Sequence, residues 1–462
     1  MSIRSSLRAV AGITLASALL AAPAASAQFS PGSSGLGDPF FPLAGNGGYD
    51  VQHYTLDLDY EPNPVNHLDA EATIVARATQ NLSSFNLDLR GYDITELTVN
   101  HREATFSRSG QELTVTPQRG LREGSRFVVH IEYDGSPAPV IDPDGSSEGF
   151  VPTDDGAFVV NEPQGSPGWY PANDNPQDKA TYDFEITVPE GRTAIANGRL
   201  LWQRTRDGET TFRWSEDSPM APYLATATNG FFELRTDRWR GRPLYHAVDP
   251  TLDQAAFDVL ALEPEVLDLF DEVYGRYPFK SGGGVVDDGG VGYALESQTK
   301  PMYDGGVDED TLVHEIAHQW FGNAVTLAVW PDIWLNEGFA TWSEWLWFER
   351  RGVQSAAEAF DEAYNSRPAT SAFWRTPPAR IPSPAVMFSS PPYERGAMTL
   401  QALREKIGDP AFFELLRTWY DRYKYGNATT ADFIALSEEI SGQSLDAFFD
   451  VWLYQPVKPT SW

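Results

Sequence analysis

Two imidazoles and two carboxylates in the second half of this 462-residue chain constrain its folding more than any other stretch. His314, Glu315 and His318 lie in ThrLeuValHisGluIleAlaHisGlnTrp, and after eighteen intervening residues Glu337 follows in TrpLeuAsnGluGlyPheAlaThrTrp. A helix turns by about 100° per residue, so His314 and His318 share one face. On the same wheel Leu312, Val313, Ile316, Ala317, Trp320 and Phe321 form a continuous apolar arc. The helix is therefore expected to be buried, with both imidazoles at the edge of a core and Glu315 toward their open side. Glu337 opens a second helical pattern through PheAlaThrTrpSerGluTrpLeuTrpPheGlu, so the fold has to bring two helices face to face.

Catalytic zinc sites take three ligands from the protein and keep a fourth position open. His314, His318 and Glu337 form such a set for one Zn(2+) ion. A bare HisGluXaaXaaHis also arises in buried helices where the His merely satisfies the core. The AsnGluGly on a second helix separates the two readings. Zinc lowers the pKa of water to roughly 7, and Glu315 is placed to take the proton, so the expected chemistry is hydrolysis of an amide bond.

At the N-terminus, Arg4 and Arg8 precede an apolar stretch over residues 9–22 and then Ala25-Ser26-Ala27. This reads as a secretory signal peptide over residues 1–27, cut before Gln28. The stretch is shorter than the roughly 20 apolar residues that span a bilayer, so the expected product is secreted and extracellular, with no membrane anchor after cleavage. There is no Cys, hence no disulfide framework and no thiolate metal site. Acidic residues number 65 against 34 basic ones, for a formal charge of −31. Such a surface repels nucleic acid and anionic membranes and attracts the free ammonium of a peptide; solubility alone also accounts for it.

The length exceeds what one core usually serves, so two domains are expected. Residues 28–47, rich in Gly, Ser and Pro, read as a flexible leader. Period-two alternation at residues 54–60, 85–89, 127–133 and 182–188, with a hairpin turning at Asp207-Gly208, makes residues 48–240 a β domain. Helical periodicity takes over after the boundary region at residues 237–247, and residues 241–462 form the second domain. The Gly-rich run at 281–292 contains Asp287 and Asp288 and no following GlyLys[Ser/Thr], so it reads as a turn and not a phosphate cradle. TyrAlaLeuGluSerGlnThrLys after it reads as a strand at the edge of a small sheet. AspGlyGlyValAspGluAsp before the first His reads as a helix cap and not a calcium loop.

HisGluXaaXaaHis, eighteen residues and Glu, followed by Tyr393 in ProProTyrGluArgGlyAlaMet, resembles the aminopeptidase N family of zinc metallopeptidases. TyrAspValGlnHisTyrThrLeuAspLeu, TrpTyrPro with AspLysAlaThrTyrAspPhe, and TyrAlaLeuGluSerGln look like successive family segments in the family's order. The resemblance implies a multidomain α+β fold, an N-terminal saddle-like β-sandwich domain followed by a thermolysin-like, mainly α catalytic domain. It implies a zinc-dependent aminopeptidase acting on peptides with a free N-terminus. It also implies that Glu296 binds the substrate's α-ammonium, that Glu162 or Gln164, with Glu162 preferred, is the second amine-binding residue, and that Tyr393 donates to the developing oxyanion. Arg395 stands where the family usually has Lys, and the C-terminal helical domain of larger members has no counterpart, which leaves substrate length open.

Two other readings compete. A thermolysin-type endopeptidase uses the same metal ligands without the ammonium-binding carboxylate and would cut N-acetylated peptides. A zinc-free binding module would have lost its ligands or general base, and this chain keeps all of them.

Overall fold

The computed structural model describes residues 28–462; the signal-peptide reading falls outside them. In the first half, alternation builds a seven-stranded sheet ordered Arg199–Arg206, Glu209–Met220, Ala180–Pro189, Tyr49–Glu61, His67–Ala78, Arg126–Gly135, Asp93–Val99. Its pairs are antiparallel except Ala180–Pro189 with Tyr49–Glu61, which run parallel. Tyr54, Leu56, Leu58 and Tyr60 all turn inward and are at most 1% exposed, as a period of two requires. A four-stranded and a five-stranded sheet pack against the same core. The hairpin at Asp207-Gly208 forms as expected, with both residues at positive φ.

The stretch read as a flexible leader is packed. Phe41 and Ala44 are buried, Ser30–Pro31 pairs with the strand Leu82–Asp88, and Gly45 N–H donates to Asp88. The Asp38 carboxylate accepts from the N–H groups of Phe40 and Phe41 and, at 2.7 Å, from that of Trp330 in the other half. A composition of Gly, Ser and Pro predicts turns correctly here. It misses that one buried carboxylate with three donors fixes those turns.

The second half holds a five-stranded sheet ordered Glu233–Trp239, Arg242–Val248, Gly282–Asp287, Met302–Asp304, Ala294–Leu295. By sequence Glu233–Trp239 falls in the β domain, but it pairs along its whole length with Arg242–Val248 and so belongs to this sheet. The boundary therefore lies before residue 233. The Gly-rich run also differs from expectation, since Gly282–Asp287 is a buried strand and the chain turns only beyond it. Gly283 sits at φ +134°, and a Cβ there would lie 2.0 Å from Tyr245 O, so the glycines permit close strand approach. Of the stretch 293–300 read as an edge strand, only Ala294–Leu295 forms one, at the edge of this sheet. The helices Glu309–His318, Trp334–Arg350, Gly396–Ile407, Asp409–Tyr423 and Thr430–Ser441 enclose a second core rich in Trp and Phe. Among the described residues no helix is long and apolar enough to cross a membrane.

Candidate active site

Asp308 caps the helix Glu309–His318 by accepting from Thr311 N–H at 2.9 Å, so the acidic run before it is a cap, as expected. Leu312, Val313, Ile316 and Ala317 are buried against the second core, which holds the opposite face toward the helix Trp334–Arg350. The His314 and His318 rings are 4.7 Å apart. Glu337 Oε2 lies 3.1 Å from His314 Nε2 and 3.4 Å from His318 Nε2.

Outward-facing contacts fix each ring. His318 Nδ1 donates to Phe321 O at 3.0 Å, and a carbonyl can only accept, so its Nε2 keeps the lone pair when the ring is neutral. His314 Nδ1 pairs with Glu344 Oε1 at 2.6 Å. Two Nε2 atoms and one carboxylate oxygen, all within 4.8 Å of one another, suit a zinc ion, so the donor set fits the metal. Glu344 is a residue that sequence reasoning missed. It lies seven residues beyond Glu337, two turns along the same face, and that spacing was the available signal.

A cavity of about 320 Å³ opens beside this triad, and Glu162, Glu296, Glu315 and Tyr393 all line it. Glu315 is buried, and burial pushes its carboxyl up to about 8 against the pull of His314 and His318. Burial acts the same way on Glu337, but there the two imidazoles win and hold it down at about 2. Tyr393 sits in the turn Pro391–Arg395, its ring stacked 6.0 Å from that of His314. Burial, with Glu337 and Glu162 nearby, raises its hydroxyl well above the usual phenol range, so it remains a donor. Arg395, the departure noted in the sequence, is fully buried and donates to the carbonyls of Trp374, Val451, Trp452 and Gln455, which anchors the turn that carries Tyr393.

Glu296 follows the edge strand, and Gln319 and Asn323 hold its backbone carbonyl at 3.1 and 2.7 Å. Its Oε1 and that of Glu162 are buried without a partner among the described residues. Gln164 is occupied elsewhere, since its carboxamide accepts from Arg90 and donates to Asp142, so the structure brings Glu162 and not Gln164 to the cavity.

A β domain feeding a carboxylate into a helical domain that carries a His-His-Glu triad defines a two-domain metallopeptidase. Residues 50–224 match the Peptidase M1 N-terminal domain and residues 294–452 the Peptidase family M1 domain. An M1 zinc metallopeptidase from Deinococcus radiodurans superimposes with a TM-score of 0.85 at 29% identity, covering 92% of this chain and 98% of that one. A two-domain M1 zinc metallopeptidase mutant bound to L-arginine gives 0.84 at 30%, covering 92% and 99%. The chain belongs to peptidase family M1. Glutamyl aminopeptidase of Rattus norvegicus is 28% identical over 350 residues, 68% of this chain and 35% of that protein. Aminopeptidase N of Lactococcus lactis subsp. lactis is 26% identical over 321 residues, 63% of this chain and 38% of that protein. The chain thus spans about a third of the length of the curated relatives it matches. Membership in M1 does not favour the thermolysin-type endopeptidase reading.

Proposed function

We propose that the protein is a secreted aminopeptidase that depends on one zinc ion and removes residues from the free N-terminus of peptides. Zinc held by His314, His318 and Glu337 would polarise the scissile carbonyl and acidify water beside it. Glu315, whose pKa burial brings near neutrality, takes a proton from the attacking water and returns it to the leaving amine. Tyr393 donates its hydroxyl proton in a hydrogen bond to the oxyanion as charge develops there. Glu296 and Glu162 accept the α-ammonium and so fix how far the chain end reaches past the metal ligands.

The observation that carries the reading is that Glu296 and Glu162, beside the general-base candidate Glu315, each bring a buried oxygen without a partner among the described residues into the cavity that also holds the triad. Buried carboxylates are costly unless a cation or donor meets them, and a substrate ammonium supplies both. Export rests on the signal-like residues 1–27 and is tested by sequencing the N-terminus of protein recovered from culture medium, expected to start at Gln28. The activity is tested with Leu- and Ala-p-nitroanilide and their N-acetylated forms, with and without chelator. Chelator-sensitive cleavage of the free-amine forms alone supports an aminopeptidase. Cleavage of the acetylated forms points to an endopeptidase, and zinc binding without turnover to a binding protein.

A further inference from the structure

A second cavity, of about 200 Å³, opens beside the first and shares Glu162, Tyr293 and Tyr393 with it. Because Glu162 lines both, this cavity lies where the side chain of the substrate's first residue leaves an ammonium bound there. The rings of Tyr293, Phe388 and Tyr393 form much of its wall, and Asp144 and Ser146 close its rim.

The rim is a tight loop. Asp142 N–H donates to Ser146 O and Gly145 N–H to Asp142 O, and Asp144 Oδ1 accepts from Ser146 N–H at 2.8 Å and from its hydroxyl at 2.6 Å. Tyr293 is tied to the same loop, donating its hydroxyl to Ser147 O at 2.9 Å. Charge around this wall is lopsided. Burial raises the Tyr293 hydroxyl above the usual phenol range and Glu148, Glu162, Asp142 and Asp144 add to it, while the Arg90 guanidinium is engaged by Gln111 and Gln164.

We propose that this cavity receives a basic side chain, and that Asp144 is a specificity-determining residue favouring peptides that begin with Arg or Lys. The inference rests on the aminopeptidase reading above and names its substrate class. The methylenes of Arg or Lys pack on the aromatic wall, where a guanidinium also stacks well, and the charged end reaches Asp144 at the solvent-exposed rim. A Glu or Asp side chain would meet the carboxylates of Glu162 and Asp144, which line this cavity. A neutral aromatic side chain fills the same wall but gains nothing from the rim.

The test is kcat/KM of the zinc-loaded mature protein on Arg-p-nitroanilide and on citrulline-p-nitroanilide, which has the same shape without the charge. Arg is expected to exceed citrulline by about tenfold, and Asp144→Asn to cut that ratio by about threefold to fivefold, the size of an exposed ion pair. A ratio of one or less, or a ratio that Asp144→Asn leaves unmoved, overturns the proposal. Calorimetric binding of free L-arginine against L-citrulline to zinc-loaded Glu315→Gln protein reads the same discrimination without turnover. Absence of turnover on every free-amine substrate refutes the aminopeptidase reading, and the binding ratio then decides the subsite by itself, with equal affinities counting against it.

Discussion

Gly338 of the helix Trp334–Arg350 packs backbone to backbone against Gly396, the residue that follows the turn carrying Tyr393. A Cβ on Gly338 would lie 2.8 Å from Gly396 Cα and 2.9 Å from Gly396 C, and a Cβ on Gly396 would lie 2.8 Å from Gly338 Cα. The obstacle is backbone, so neither side can rotate away. Carbon atoms rest at about 3.5–4.0 Å, so Gly338→Ala has to part the two segments by about 1 Å. Glu337 adjoins Gly338, and Tyr393 lies three residues before Gly396, so the parting falls on the distance between Glu337 and Tyr393, the proposed metal ligand and oxyanion donor.

Magnitudes set the expected signature. Gly to Ala inside a helix contributes about 1 kcal/mol of stability, whereas overpacking costs about 1–3 kcal/mol, so the net loss is small. A 1 Å misplacement of a catalytic group costs on the order of a hundredfold in rate. Gly338→Ala is therefore expected to melt within a few degrees of the parent, keep its zinc, and turn over Leu-p-nitroanilide on the order of a hundredfold more slowly. Adding Gly396→Ala should cost less than it does alone, because the segments are already apart. If Gly338→Ala melts higher than the parent and keeps its kcat within about twofold, the contact is soft and the reasoning is wrong.

Tyr393→Phe is expected to lose about a hundredfold to a thousandfold in kcat with zinc content and melting unchanged; a lost metal or a lowered melting point would mean that the hydroxyl is structural. Replacing Glu344 by Ala frees the outward nitrogen of His314, and zinc affinity measured by chelator competition is expected to fall about tenfold to a hundredfold. Zinc uptake is expected to release protons. In the metal-free protein burial opposes the charging of His318, but Glu337 and Glu296 prevail and raise it to about 9. Protons therefore compete with the metal below that pH, and affinity rises from pH 6 to 8, which titrations in buffers of different ionisation enthalpy will reveal; a pH-independent affinity would refute it. Glu296→Gln keeps the shape and removes the charge, so KM for free-amine substrates is expected to rise at least about tenfold, and an unchanged KM would remove Glu296 from ammonium binding.

Legibility from sequence tracks the range of the interactions. Strand alternation around Tyr54 to Tyr60, the positive-φ pair Asp207-Gly208 and the Asp308 cap are set by neighbours a few residues apart, and all three form as expected. The triad was legible because helix geometry fixes His314 against His318, leaving only Glu337 to arrive from elsewhere. Glu344 shows a limit of the opposite kind. Its spacing was visible, but nothing in a sequence says that the outer nitrogen of His314 needs a carboxylate. Residues 28–47 and the run at 282–287 depart from expectation because composition reports backbone freedom and not the partner that removes it, here Trp330 N–H for Asp38 and Tyr245 for Gly283.

The site itself is built from both halves of the chain, so no local pattern separates Glu162 from Gln164. Glu162 comes from the β half, Glu296 from a sheet edge, and the metal ligands from two helices, so their spacing depends on how the halves meet. Side chains of the first half converge on the segment joining those helices. Lys179 donates to Asn323 O and Ala324 O at 3.0 and 3.1 Å, Tyr223 donates to Gly322 O at 3.2 Å, and Asp38 holds Trp330 N–H. Partners in these pairs lie 99 to 292 residues apart, beyond the reach of any local pattern. Burial pulls the Lys179 ammonium down to about 7. A costly cation kept at the junction is consistent with the junction fixing where Glu162 stands relative to the metal ligands, because an apolar contact there would hold the halves together without setting their register.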